Sequence, residues 1–207
     1  MIVPRYYEDL SVLHENTMPA RAYFIPASKR MDNLVEHREE SDRMQLLNGT
    51  WKFQYFNSIY DVQEPFFEKD YDTENFDEIQ VPSVWQMAGY DTHQYTNIRY
   101  PFPFDPPYVP QDIPCGAYVH NFEYSRDEKA SKAFLNFEGV DSCFYVWING
   151  SYVPYKIGKL QIQGFSEPTT PNKIKQSYHI TQKAARSRPR AAFLRGKLGR
   201  RQDFSKK

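Results

Sequence analysis

Apolar and polar positions alternate with a period of two along several short stretches of this chain, which predicts half-buried strands. In residues 50–56, Trp51, Phe53 and Tyr55 fall on one face and Lys52 and Gln54 on the other. Residues 118–125 group Tyr118, Phe122 and Tyr124 opposite Asn121 and Glu123. In residues 132–138, Ala133, Leu135 and Phe137 alternate with Phe134, Asn136 and Glu138. Residues 144–148 form an unbroken apolar run, the pattern of a strand covered on both faces. Asn149 and Gly150 follow at once and supply the two positive φ angles of a type I′ hairpin, with Ser151, Tyr152 and Val153 opening the return strand. Asn48 and Gly49 give a second turn signal ahead of the Trp51 strand. Helical signal is confined to residues 28–47, rich in Arg, Glu, Met and Leu, where a short helix is expected. The chain as a whole reads as all-β: short strands joined by Pro, Asn, Asp and Gly turns, and hence a β-sandwich.

Charge divides this picture. The formal net charge is zero, yet residues 1–155 carry 12 Lys and Arg against 24 Asp and Glu, while residues 156–207 carry 14 against 2. So abrupt a shift marks a boundary. We therefore expect an N-terminal arm over 1–40, a sandwich over 41–155, and an irregular basic tail over 156–207. The 207 residues suffice for one domain. No apolar stretch approaches the roughly 20 residues of a membrane span, which argues against a membrane partner. The first residues lack the apolar core of a secretory signal, so a cytoplasmic location is expected, with Cys115 and Cys143 reduced and buried.

Six prolines lie between positions 101 and 114, fixing many φ angles near −65°. A loop so stiffened holds the aromatic and amide side chains around it with little entropy left to lose, as a binding rim or a rigid domain edge requires. Its interleaved Tyr and Phe fit packing better than display to a proline-reading partner. The neighbouring motifs run in a definite order. Leu46-Leu47-Asn48-Gly49-Thr50-Trp51-Lys52-Phe53 follows Ser41-Asp42-Arg43; then come Val81-Pro82-Ser83-Val84-Trp85-Gln86-Met87 with Gly89-Tyr90-Asp91, Gln94-Tyr95-Thr96-Asn97, Tyr100-Pro101-Phe102-Pro103 and Asp105-Pro106-Pro107-Tyr108-Val109-Pro110. Pro114-Cys115-Gly116, Phe137-Glu138-Gly139-Val140-Asp141-Ser142 and Val146-Trp147-Ile148-Asn149-Gly150 complete the set. Together, over roughly residues 15–153, they resemble the N-terminal domain of the bacterial family 2 β-galactosidases. That resemblance implies a jelly-roll β-sandwich, galactose-binding-domain-like, which precedes a catalytic barrel in the whole enzyme. It also implies a β-galactoside such as lactose as the sugar partner, with the remaining domains or other subunits as protein partners.

The chemistry that hydrolysis needs is missing from the sequence. Retaining glycosidases use two carboxyl groups about 5–5.5 Å apart. Glu36, Glu39 and Glu40 read as an exposed face, and Asp70, Asp72, Glu74, Asp77 and Glu78 as a solvated acidic loop, so no catalytic residue is expected. His14, His37, His93, His120 and His179 lack metal-ligand spacing. By the resemblance, both catalytic glutamates belong to the barrel, beyond this chain, and the Mg²⁺ and Na⁺ of the family belong to the full-length enzyme. Tyr7-Glu8-Asp9 resembles the family's Mg²⁺ stretch only faintly, so no metal ligand and no cofactor is assigned here. The resemblance does imply that Asn97 hydrogen-bonds a galactose hydroxyl and that Tyr95 offers a wall to the sugar ring. The residues alone leave a second role open, in which Asn97 caps the proline-rich turn and Tyr95 packs beneath it. Trp51, Trp85 and Trp147 invite a lectin reading, but Trp51 and Trp147 sit in strand patterns, where core packing accounts for them.

The family pattern stops near Val153. Family members continue with an acidic strand and a Trp-Ser-Asp-Gly-Ser-Tyr motif, whereas this chain runs into Lys- and Arg-rich segments such as Arg195 to Arg201. High charge and weak periodicity predict disorder. A basic tail can bind nucleic acid. We favour instead a shifted reading frame, because the pattern breaks inside a hairpin, where no domain boundary belongs. Nucleic acid is therefore not an expected partner. The sandwich is expected to be incomplete at its C-terminal end and to expose an edge.

Overall fold

The computed structural model describes residues 3–12, 22–93, 103, 105–124, 133–140, 143–156, 160–162, 174–181 and 198–200, with backbone alone beyond residue 153. Among the described residues nine strands follow one another: β1 (Gly49–Phe56), β2 (Asp77–Val81), β3 (Cys115–Phe122), β4 (Ala133–Phe137), β5 (Cys143–Ile148), β6 (Ser151–Lys156), β7 (Leu160–Ile162), β8 (Ile174–Thr181) and β9 (Leu198–Arg200). Six of them form an antiparallel sheet in the order β2-β1-β3-β8-β5-β6, and three form a second sheet in the order β7-β4-β9. The β5–β6 hairpin turns through Asn149 at φ 50° and Gly150 at φ 83°, the conformation the pair predicts.

The period-two pattern decides where each strand's side chains go. Trp51 and Phe53 of β1, Tyr118 and Phe122 of β3, and Phe144, Val146 and Ile148 of β5 join Leu135 and Phe137 of β4 in one buried cluster. That cluster is the core between the two sheets. The alternate residues of the same strands, Cys115, Ala117 and Val119 with Cys143, Tyr145 and Trp147, enter a second cluster with Val3, Tyr7, Ile59, Val62, Phe66 and Phe76. The N-terminal arm and the 57–76 segment thus cover the outer face of the larger sheet. This is why β5 is buried at all six positions and reads as a continuous apolar run.

One expectation changes. The short helix expected over 28–47 is a single 3₁₀ turn, Arg38–Glu40, among the described residues there. Asn33 adopts a positive φ of 66°, and the residues on either side are held by long-range hydrogen bonds instead of a helical ladder. Few residues of the basic tail are among those described. It supplies β7, β8 and β9, and β8 pairs antiparallel with β3 on one side and β5 on the other. β8 thus lies between β3 and β5 in the larger sheet. Strand pairing satisfies main-chain groups whatever side chains they carry, so two buried strands can take up an extended segment of poor composition.

Candidate functional site

Tyr95 and Asn97 lie outside the described residues, but the frame that carries their loop is described on both sides. On the entry side, Val84 leads into a 3₁₀ helix, Trp85–Ala88, closed by Gly89 at φ 89°. The amide of Tyr90 then donates to the carbonyl of Trp85 (3.2 Å), turning the chain back over β1. On the exit side, Asp105 accepts the amide of Tyr108 through its carbonyl (2.8 Å), and Pro106–Pro107 is a cis pair.

Aromatic rings fix this frame to the sheet. Phe53 meets Tyr90 edge-on with centroids 4.7 Å apart and Tyr118 at 4.6 Å, while Tyr55 meets Trp85 edge-on at 5.7 Å. The absence of a side chain at Gly116 makes this possible. A Cβ there would lie 2.5 Å from Phe53 Cε2 and 3.1 Å from Trp85 Cζ3. Tyr90 donates its hydroxyl to Asp77 Oδ2 (2.8 Å), which ties the frame to β2. Burial, followed by that hydrogen bond, pushes the Tyr90 phenol up to about 12; burial, followed by the Asp91 charge, does the same for Tyr55. Both phenols stay protonated at neutral pH, and Tyr90 serves as the donor to Asp77.

The three tryptophans are 1–4 % exposed, which removes them as stacking surfaces for a sugar. Trp51 donates Nε1–H to the Leu47 carbonyl (2.8 Å) and stacks on His120 at 4.7 Å. Trp147 stacks on Phe67 at 4.6 Å. Core packing, expected for these two, is what the structure shows. Trp85, which falls in none of the strand patterns, is buried as well, and its Nε1–H meets no acceptor among the described residues.

The carboxylates are dispersed. Glu36, Glu39, Glu40, Asp70, Asp72, Glu74, Asp77 and Glu78 are all exposed. Near the arm, Glu8 binds Arg5 (2.6 Å) and accepts the Val109 amide (3.2 Å), while Asp9 accepts both the amide and hydroxyl of Ser11. These two carboxylates already have partners, and no group of three His, Cys, Asp or Glu able to hold a metal occurs among the described residues.

Sequence reasoning missed how the arm is fastened. Arg38 Nη1 donates to both oxygens of Glu138 (2.9 and 3.1 Å) and to the hydroxyl of Tyr23 (3.2 Å). Asp42 accepts the amide and hydroxyl of Ser28, and Ser41 donates to the Pro26 carbonyl. The signal was present in part, since Ser41-Asp42 and Glu138 lie in the quoted motifs; nothing local marks Arg38 as their counterpart.

Residues 44–166 match the family described as glycosyl hydrolases family 2, sugar binding domain, a match running past the Val153 limit read from the motifs. A beta-galactosidase of Actinobacillus pleuropneumoniae is 44 % identical over 155 residues, and one of Staphylococcus xylosus is 43 % identical over 156 residues. Each alignment covers 75 % of this chain and 15 % of the relative, so the chain spans about 15 % of the length of these relatives. Among solved structures, a beta-glucuronidase of an uncultured Clostridium superposes with a TM-score of 0.51 at 16 % identity, covering 78 % of this chain and 30 % of that one, a likeness of fold alone. With the two-sheet sandwich, the aromatic frame of the loop and the matched residues in agreement, the chain belongs to the sugar-binding domain family of the family 2 glycosyl hydrolases.

Proposed function

We propose that this chain is the N-terminal, sugar-site-rim part of a cytoplasmic β-galactosidase that cleaves terminal β-D-galactosides such as lactose with retention. The observation that carries the reading is the 44 % identity to a protein named beta-galactosidase, sustained over 155 residues. In this reading Asn97 hydrogen-bonds a galactose hydroxyl and Tyr95 walls the ring. Both follow the segment whose Trp85 and Tyr90 rings pack on Tyr55 and Phe53 of β1. Acid–base and nucleophilic chemistry come from carboxylates outside these 207 residues, because the described carboxylates are exposed or engaged. The family's Mg²⁺ and Na⁺ belong to the whole enzyme in the same way. Two buried thiols accord with a reducing compartment. No helix among the described residues is long and apolar enough to cross a membrane.

The test is hydrolysis of a chromogenic β-galactoside by the purified chain. No turnover is expected, and turnover that survives removal of host enzyme contradicts the reading. An equimolar intact enzyme carrying the same domain serves as the positive control.

A further inference from the structure

Prolines leave residues 106–110 with few main-chain donors. Pro106, Pro107 and Pro110 have none, so Tyr108 and Val109 carry the only two N–H groups of the stretch. The Tyr108 amide is used within the turn, on the Asp105 carbonyl at 2.8 Å. The Val109 amide is therefore the main-chain donor left to fasten the stretch to a distant part of the molecule. It donates to Glu8 Oε1 at 3.2 Å, across 101 residues of sequence. The other carboxylate oxygen, Oε2, is taken by Arg5 Nη2 at 2.6 Å, which leaves Oε1 to Val109. The Glu8 side chain is 9 % exposed, so water has little access with which to replace the bond.

Glu8 is itself held to the sheet. It ends the 3₁₀ turn Tyr6–Glu8, in which Tyr7 is buried. Just before that turn, the Pro4 carbonyl accepts the hydroxyl of Tyr145 on β5 at 2.7 Å. Val109 packs against the cluster that contains Val3, Tyr7 and Tyr145. Two residues further on, the Gln111 carbonyl accepts the hydroxyl of Ser58. Contacts thus run from β5 through the arm to the exit side of the proline-rich loop, and Glu8 is their polar link.

We propose that Glu8 is a positioning residue for the sugar site: by accepting the Val109 amide it fixes the exit side of the loop that carries Asn97 and Tyr95. The positioning role rests on the proposed contact of that loop with galactose. Prolines at 101, 103, 106 and 107 restrict φ between Asn97 and Val109, so a displacement at Val109 is passed along the chain and not absorbed. The role needs an acceptor and not a charge. In Glu8→Gln the side-chain carbonyl still accepts from Val109, while Arg5, at 54 % side-chain exposure, turns to water. In Glu8→Ala the Val109 amide loses its acceptor.

Two readouts test this. Arg99 is the only Lys or Arg between Lys69 and Arg126, so tryptic cleavage after Arg99 in the full-length chain reads the loop without any sugar. Glu8→Ala should speed that cleavage about fivefold, the effect of one lost hydrogen bond, while Glu8→Gln should keep the parental rate. In an otherwise intact enzyme carrying this domain, Glu8→Ala should raise KM for a chromogenic β-galactoside about fivefold and leave kcat unchanged. Glu8→Gln should restore the parental KM. Glu8→Ala should add little to Asn97→Ala, because both act through one sugar contact. Unchanged cleavage after Arg99 in Glu8→Ala, or a Glu8→Gln variant affected as much as Glu8→Ala, overturns the proposal. So does a fall in kcat and melting temperature at unchanged KM, which makes Glu8 a stabilising residue only. Where Asn97→Ala raises KM and Glu8→Ala does not, the positioning role fails and the galactosidase reading stands. Where neither variant changes the kinetics, the sugar contact fails and the positioning role with it, while the cleavage rates still report the fastening by Glu8.

Discussion

Gly116 and His120 belong to the same strand and carry opposite kinds of constraint. At Gly116 the constraint is space: a methyl group 2.5 Å from Phe53 Cε2 must push a fully buried ring or move β3. Gly116→Ala should lower stability by about 1–3 kcal/mol, the range for overpacking a filled core, read as a lower urea midpoint at an unchanged slope. An unchanged midpoint would show that the ring frame yields freely. At His120 the constraint is charge. Burial against Trp51 lowers its pKa from the ordinary 6.5, so the folded chain prefers the neutral ring. The unfolded chain then takes up the proton at higher pH than the folded one. Stability from this group is complete above pH 6.5 and declines as pH falls below it towards the folded value. His120→Gln should flatten that part of the pH–stability curve; an identical slope in both proteins assigns the dependence to other groups.

Elements formed by local pattern were legible and elements formed by distant partners were not. Trp51, Phe53, Tyr118, Leu135 and the 144–148 run declared their strands because side-chain alternation is a local property. Asn149 and Gly150 declared their hairpin because only a few residues tolerate positive φ at both positions. The arm was misread as helical because its ordering comes from contacts across a hundred residues, Arg38 to Glu138 foremost. The same holds for β8, whose own sequence argues against a central strand and whose place is set by β3 and β5. Asn97 and Tyr95 are pointed to by resemblance alone and lie outside the described residues; an amide and a phenol on a proline-rich loop serve a turn as well as a sugar. Arg38→Ala should detach the arm. The pair is partly solvated, at 16 % and 19 % side-chain exposure, so the loss is on the order of 1 kcal/mol. Cleavage by trypsin within residues 22–40 should become faster while the sandwich strands stay protected. Equal protection in both proteins would make the ion pair incidental.

At the scale of the whole molecule, the proposed reading has the sandwich carry the loop of Tyr95 and Asn97 to a sugar site while the carboxylate pair that cleaves the glycosidic bond comes from elsewhere in the enzyme. The central claim is that this loop touches sugar, and Asn97→Ala in an otherwise intact enzyme carrying this domain tests it most directly. Loss of one hydrogen bond to a neutral ligand group costs about 1 kcal/mol, so kcat/KM for a β-galactoside should fall about fivefold while the melting temperature is unchanged. Unchanged kinetics with a lowered melting temperature would contradict the account and return Asn97 to a capping role in the proline-rich turn.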